Sequence, residues 1–395
     1  MNNKGIIGAI IGDIVGSRFE FNNYRSTDFH LFNDKCFFTD DSVMTIAVAD
    51  WITNKSKTPK QLSNYMREWG RKYPNRGYGG MFFKWLFSRE LLPAYNSFGN
   101  GSAMRVSPCG FFAHSLQEAL DLAKESAEIT HNHPEGIKGA QSVATAIYLA
   151  KRGYNKDAIK EYIELNFQYD LNRTCDDIRK VYKFNETCQE TCPEAIIAFL
   201  ESHDYESAIK LGISIGGDSD TIGAITGSIA AAFYGVPNSI INEAKKFIPY
   251  DFIEIIEKFE EHINMEERIS PQFINKLENN EIFVFGSNLK GMHGGGAARI
   301  AYDKFGAIWG QGVGLQGQSY GIPTMHGGID VIKPYVDEFI DFAKHHPGLK
   351  FLVTRIGCGI AGFSDEEMAP LLKDAIEIEN IYLPKSFYDI LLSEL

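Results

Sequence analysis

Gly216-Gly217-Asp218-Ser219-Asp220-Thr221 leads directly into a run of small and apolar residues, Ile222 to Tyr234. The glycines punctuate, the acids and hydroxyls suit a helix start, and the plain apolar run that follows suits a buried helix. An earlier stretch repeats the arrangement: Phe38-Thr39-Asp40-Asp41-Ser42 opens onto an apolar helix, Val43 to Ile52. Capping and the helix dipole account for either stretch alone. Together they bring four carboxylates to two helix starts in a core, where they would repel unless cations neutralised them. All the candidate ligands are oxygens, which points to Mg²⁺ or Mn²⁺ ahead of Ca²⁺.

Outward from these motifs, residues 1–262 read as an all-α domain. Leu116 to Thr130, Ile137 to Lys151, Pro193 to Ser202 and Ser239 to Phe247 carry apolar residues at three- and four-residue spacing. Gly- and Asn-rich breaks such as Pro74-Asn75-Arg76-Gly77 and Phe98-Gly99-Asn100-Gly101 separate them. Residues 263–280 are polar and contain Pro271, as a linker would. Residues 281–395 change character. Ile282 to Phe285 and Phe351 to Val353 are short apolar strands, each followed by glycines and then by a helical pattern, Ala297 to Phe305 and Asp365 to Ile376. Strands alternating with helices predict a smaller α/β domain of three layers.

Hydrophobic residues at 44% and charged residues at 23% are ordinary globular values, so neither domain needs a special explanation. The net charge of −12, with no Lys/Arg cluster, argues against a nucleic-acid backbone as the main partner, leaving nucleic acid only as a modified substrate. An acidic protein can still hold a phosphate through backbone N–H groups and bound cations. The six cysteines are scattered and fit a reducing, cytoplasmic compartment; Cys188 and Cys192 are half a zinc site with no matching second pair. The apolar run Gly5 to Gly12 is too short to span a bilayer and lacks the features of a signal peptide, so no membrane partner is expected.

Six ordered motifs make the first domain resemble the ADP-ribosylglycohydrolase family. They are Gly12-Asp13-Ile14-Val15-Gly16-Ser17 with Glu20 soon after, Thr39-Asp40-Asp41-Ser42-Val43-Met44-Thr45, and Arg76-Gly77-Tyr78-Gly79-Gly80. Then come Gly99-Asn100-Gly101-Ser102-Ala103-Met104-Arg105, Thr130-His131-Asn132-His133-Pro134 and Gly217-Asp218-Ser219-Asp220-Thr221. The resemblance implies two Mg²⁺ or Mn²⁺ ions on Thr39, Asp40, Asp41, Asp218, Asp220 and Thr221. It implies a diphosphate beside Gly77, Tyr78, Gly79 and Gly80. Phe98, Asn100, Gly101, Ser102 and Met104 would line the ribose end, His131 would contact ribose or diphosphate, and Glu20 would guard the site. Cleavage at ribose C1″ needs an oriented sugar and a delivered water. Asp41, Asp220 or Glu20 would take the water's proton, and the sequence leaves the choice among them open.

The second domain resembles a divergent macrodomain. Gly286-Ser287-Asn288 and Gly294-Gly295-Gly296 follow one strand, and Gly357-Cys358-Gly359-Ile360-Ala361-Gly362-Phe363 follows another. Glycine loops between a strand and a helix N-terminus can present N–H groups to an anion. The resemblance implies ADP-ribose against Asn288, Gly294, Gly295, Gly296, Gly357, Gly359, Gly362 and Phe363. The expected early Asp that reads adenine has no equivalent here, and the first motif is Gly-Ser-Asn where macrodomains carry Asn-Ala-Ala-Asn. The reading is therefore a metal-dependent hydrolase that releases ADP-ribose from a modified protein or other acceptor, with a C-terminal module that binds ADP-ribose. Its rivals are a non-catalytic ADP-ribose reader and a two-metal nucleotide phosphohydrolase. Among single residues, Asp13 suits either a supporting or a purely structural role, His133 suits a cap, His345 and His346 suit a helix end, and Arg105 is placed to pair with an acid.

Overall fold

The computed structural model describes residues 4–54 and 58–393. The chain forms two compact units, Met1–Ile263 and Asn264–Leu395. The regular elements of the first are all helices among the described residues, apart from one isolated bridge between Gly99 and Thr187. Its centre is the pairing of helix Ile7–Gly16, buried along its whole length, with helix Ser219–Tyr234. Glycines make that pairing close: a Cβ on Gly12 would lie 1.9 Å from the carbonyl oxygen of Gly223, and one on Gly16 would lie 2.3 Å from that of Ser219. Backbone packed on backbone carries Asp13 and the Asp218 segment to the same end of the helix pair. Helix Asp40–Ile52 packs against both, so the two acidic motifs meet.

Several helix limits differ from the sequence reading, each for a local reason. Helix Pro134–Lys151 starts ahead of Ile137, because His133 caps it by accepting from the Glu135 amide and Pro134 occupies the first turn. Helix Cys188–Glu201 carries Pro193 in its interior, whereas the sequence placed Pro193 at its start. Helix Asn238–Ala244 ends before Phe247. No helix among the described residues is long and apolar enough to cross a membrane.

The second unit contains a five-stranded mixed sheet: β1 (Glu281–Ser287), β2 (Gly314–Gln316), β3 (Ser319–Pro323), β4 (Lys350–Val353) and β5 (Ile381–Tyr382). The order is β2-β3-β1-β4-β5, with β2 antiparallel at the edge and the other pairings parallel. Period-two alternation in β1 divides the core between the faces. Ile282 and Val284 pack with helix Ile329–Lys344 on one side, and Phe283 and Phe285 pack with Ala298 and Ala301 of helix Gly296–Lys304 on the other. The segment expected to be a helix from Asp365 to Ile376 is one α turn, Asp365–Met368, followed by a 3₁₀ stretch, Ala369–Glu377. Pro370 lacks the N–H that a continuing α-helix would use there. Residues 263–280 begin in the last turns of helix Tyr250–Glu267; beyond it, Ser270 hydrogen-bonds the backbone of Leu383 and Tyr382 and Ile274 packs on the sheet.

Candidate functional site

A cavity of about 570 Å³ opens in the first unit where the two acidic helix starts meet. Glu20, Asp40, Asp41, Asp218, Asp220 and Thr221 are in its lining. Thr39 caps helix Asp40–Ile52 by accepting from the Asp41 amide at 3.3 Å, so capping explains that residue. It does not explain Asp218, which stands at the N-cap of helix Ser219–Tyr234 yet makes no side-chain capping bond. Its Oδ2 instead accepts from Asn100 Nδ2 at 2.7 Å. Thr221 Oγ1 donates to Asp41 Oδ2 at 3.3 Å, joining the two motifs directly.

Beneath them, fully buried Asp13 accepts from the Thr39 amide and hydroxyl (2.9 and 2.7 Å), from the Ser42 amide (3.0 Å) and from the Ser42 hydroxyl. A carboxylate so fully satisfied is a strut: it fixes the start of helix Asp40–Ile52 against helix Ile7–Gly16. Glu20 reaches the cluster because of Asn23. The Asn23 amide bonds the Glu20 carbonyl on one side and both the N–H and C=O of Gly217 on the other. Arg25 then holds the carbonyl of Ile215. Gly216 and Gly217 have φ near +79° and +78°, a region that glycine enters freely.

The electrostatics favour a cation. Carboxylate oxygens of Glu20, Asp218 and Asp220 lie within 4.8 Å of one another. Burial, then neighbouring carboxylates, pushes Glu20 up to about 8 and drives Asp40, Asp41 and Asp220 well above the usual range. Burial also lifts Asp218 to about 6, against the hydrogen bonds of Asp220 and Asn100. Asp41 Oδ1 and Asp220 Oδ1 are buried with no hydrogen-bond partner. Orphaned acceptors of this kind are costly, and oxygen-ligated divalent cations suit them.

The rest of the lining is mostly uncharged. Gly77, Gly79, Gly80, Met81 and Phe82 form one wall, and Tyr95 to Gly101 with Met104, Arg105 and His131 form another. A Cβ on Gly77 would come within 3.3 Å of Asp40 Oδ1, and its φ of +97° also calls for glycine. The model of the family described as ADP-ribosylglycohydrolase matches residues 4–270.

The chain belongs to the ADP-ribosylglycohydrolase family.

As a member it is a hydrolase of a glycosidic bond, of the ADP-ribosylhydrolase class. It is 25% identical over 308 residues to ADP-ribosylhydrolase ARH3 of Mus musculus, covering 58% of this chain and 83% of that protein. It is 24% identical over 261 residues to ADP-ribosylarginine hydrolase Tri1 of Pseudomonas putida (strain GB-1), covering 58% and 70%. A solved structure titled "ADP-ribosylglycohydrolase-related protein complex" superposes with a TM-score of 0.50 at 21% identity, over 66% of this chain and 94% of that one; it shares the fold.

Within this ADP-ribosylglycohydrolase unit, most residues singled out in the sequence gather at the cavity, but three do not line it. Thr39 is turned to Asp13. Tyr78 is buried with its hydroxyl donating to the Tyr73 carbonyl at 2.9 Å. Ser102 is buried and donates to the Gly136 carbonyl at 2.7 Å. Arg105 pairs with no acid: its Nη2 bonds the Ser126 carbonyl and the Thr130 hydroxyl, while Nε and Nη1 have no partner. Cys188 and Cys192 are buried beside Gly139, with Cys188 Sγ 3.1 Å from the Gly99 carbonyl, so Cys188 supports the Gly99–Gly101 turn. Sequence reasoning missed Asn23, Arg25 and Glu186. Glu186 lines the cavity and its carbonyl accepts from the Asn100 amide at 2.7 Å. Nothing in the local sequence marks them, since their roles come from partners far along the chain.

In the second unit the glycine loops are neighbours. A Cβ on Gly295 would lie 3.3 Å from Ile360 Cδ1, and one on Gly286 would lie 3.3 Å from the Gly357 amide. Gly296, Gly357 and Gly362 have positive φ. The Asn288 side chain is spent locally, bonding the Met292 carbonyl at 2.7 Å and amide at 3.1 Å. Phe363 is partly buried against the core. Gly294 and Gly359 have open space around them.

Proposed function

We propose that this hydrolase cleaves the N- or O-glycosidic bond at ribose C1″ of ADP-ribosylated acceptors, in the acidic cavity and with two divalent cations, Mg²⁺ or Mn²⁺. The observation that carries the reading is the pair of orphaned buried oxygens, Asp41 Oδ1 and Asp220 Oδ1, in a cavity lined by both carboxylates and glycines. Asp40, Asp41, Asp218, Asp220 and Thr221 line the cavity and would hold the cations; Thr39, whose hydroxyl donates to Asp13, would join them through a remaining lone pair of its oxygen. Bound there, these would offset the carboxylate charge and supply the Lewis acidity that orients ribose hydroxyls and eases proton loss from water.

The chain's own groups do the rest. The glycine wall from Gly77 to Gly80 lets a diphosphate approach the backbone, and Phe98 with the Asn100–Gly101 turn bounds the ribose. Asn100 fixes the Asp218 carboxylate. Water attacks C1″, the C1″–N or C1″–O bond breaks, and the acceptor leaves with a proton. Glu20 is best placed to take the water's proton: it lines the cavity and is less buried than Asp41 and Asp220. Asp41 and Asp220 sit deeper and serve better as ligands.

The second unit fits a binding module for the same group. Its two glycine loops leave the C-terminal ends of β1 and β4, adjacent strands from which the chain winds in opposite directions, the usual site of nucleotide binding in open sheets. With Asn288 engaged by its own turn, backbone amides are the available donors. Joining two ADP-ribose sites in one chain raises effective concentration at the catalytic one. The test is product analysis with arginine- and serine-linked substrates. Free ADP-ribose with the acceptor regenerated supports the proposal; free phosphate would favour a phosphohydrolase, and tight binding without release a reader.

A further inference from the structure

Behind the cavity wall, Arg105, Thr130 and His131 form a hydrogen-bond chain that the chemistry above does not use. Arg105 is fully buried, and its Nη2 donates to the Ser126 carbonyl at 2.8 Å and to Thr130 Oγ1 at 2.9 Å. Thr130 Oγ1 lies 2.8 Å from His131 Nδ1. A guanidinium can only donate, so the Thr130 oxygen is the acceptor in the first contact; among the described residues His131 Nδ1 is the one remaining partner of that hydroxyl, so its proton is left for the second. Nδ1 then accepts, and the ring proton resides on Nε2.

That nitrogen faces the cavity-lining turn. A Cβ on Gly101 would stand 3.1 Å from His131 Nε2 and one on Gly99 3.6 Å, so glycine at both positions leaves Nε2 uncovered. Arg105 also acts through its charge. Its Nε and Nη1 are buried without partners, and the groups acting on it are Tyr95, Cys109 and Cys188, none of them a carboxylate. Burial, and then this guanidinium, holds the His131 imidazole well below the usual histidine range.

We propose that Arg105 and Thr130 are positioning residues that fix His131 as a neutral imidazole protonated on Nε2, which offers an N–H to an oxygen of the ADP-ribosyl group under the Gly99–Gly101 turn. The identity of that oxygen's owner rests on the functional reading above; the tautomer does not.

The experiment is ¹⁵N imidazole NMR on the full-length wild-type protein, with the His131 signal assigned by its loss in His131→Gln, alongside kinetics of Thr130→Val and Thr130→Ser. The wild type should show an unprotonated, hydrogen-bonded Nδ1 and a protonated Nε2, unchanged through the ordinary histidine titration range. Thr130→Val should shift the tautomer signals and raise KM about 5–10-fold, the worth of one hydrogen bond, with kcat changed by less than about twofold. Thr130→Ser should restore both. A wild-type His131 protonated on Nδ1, or one that titrates normally, would overturn the proposal without reference to any variant's folding. So would Thr130→Val with unchanged tautomer and KM. An intact Nε2–H spectrum in a protein that releases no ADP-ribose would support the relay and count against the functional reading instead.

Discussion

Replacing Gly12 by Ala tests how the fold builds the site. The added Cβ would sit 1.9 Å from the Gly223 carbonyl oxygen, 2.3 Å from its carbon and 2.8 Å from the Ala224 nitrogen. All three are backbone atoms, so no rotamer change relieves them. Real Cβ contacts essentially never fall below 3.0 Å, so the Cβ–oxygen distance must grow by about 1.1 Å, the difference between 3.0 and 1.9, and helices Ile7–Gly16 and Ser219–Tyr234 must shift against each other to supply it. Helix propensity alone would make the change favourable by about 1 kcal/mol. Overpacking costs about 1–3 kcal/mol when side chains can adjust, and a clash with a carbonyl belongs at or beyond the top of that range. The clash wins, with a net loss of roughly 2 kcal/mol or more. Gly223 lies three residues beyond Asp220, so the same movement carries Asp218 and Asp220 away from Asp41. A displacement of about 1 Å in a catalytic constellation costs about 100-fold in rate. Urea denaturation and the kcat/KM of ADP-ribose release measure the two effects, with Gly348→Ala, which has open space around it, as the neutral control. A Gly12→Ala protein with the wild-type midpoint and full turnover would refute the reasoning.

Chelation with EDTA should abolish release of ADP-ribose, and Mg²⁺ or Mn²⁺ should restore it; full turnover in rigorously metal-free protein would sink the metal assignment. Asn23→Ala removes the bonds tying Glu20 to Gly217, so turnover should fall about 10–100-fold while the unfolding free energy falls by only about 1–2 kcal/mol; unchanged kinetics would show that Glu20 is held otherwise. Glu260 is raised to about 7 by burial and then by Glu257, against Lys245. The folded chain therefore holds that proton more tightly than the unfolded one, and stability should fall as pH rises from about 4.5 through about 7. Glu260→Gln should raise Tm at pH ~8 and leave it nearly unchanged at pH ~4.5, and equal shifts at both values would contradict the assignment. Calorimetry of the full chain should find two ADP-ribose sites, with Gly359→Glu removing one by placing a negative charge in open space beside the second-unit loops; a single site in the wild type would contradict the module.

The parts of this molecule legible in its sequence are those set by short-range chemistry. Thr39 and the acids after it announce a helix start because capping is local, and the plain run after Asp220 announces burial because no charged residue interrupts it. The cavity's glycine walls show for a similar reason: Gly77, with its positive φ, stands where few other residues could. Partnerships formed across the chain were hidden. Asn23 meets Gly217 and Asn100 meets Asp218 only after the helices pack, and no periodicity encodes either. Arg105 illustrates the same limit, since its place just after the Gly99-Asn100-Gly101 loop suggested an ion pair with an acid of the site, and folding gives it a carbonyl and a hydroxyl. In the second unit, β2 and β3 are too short and glycine-rich to show alternation, and they escaped notice.

The most direct test compares wild type and Asp220→Asn in a release assay on ADP-ribosylated arginine and serine substrates, with product identity read by mass spectrometry and with Mg²⁺ or Mn²⁺ present. The account predicts free ADP-ribose and an unmodified acceptor from the wild type on at least one linkage, and a loss of about 100-fold or more in Asp220→Asn. Asp220→Asn at wild-type turnover, or phosphate as the product, would contradict it.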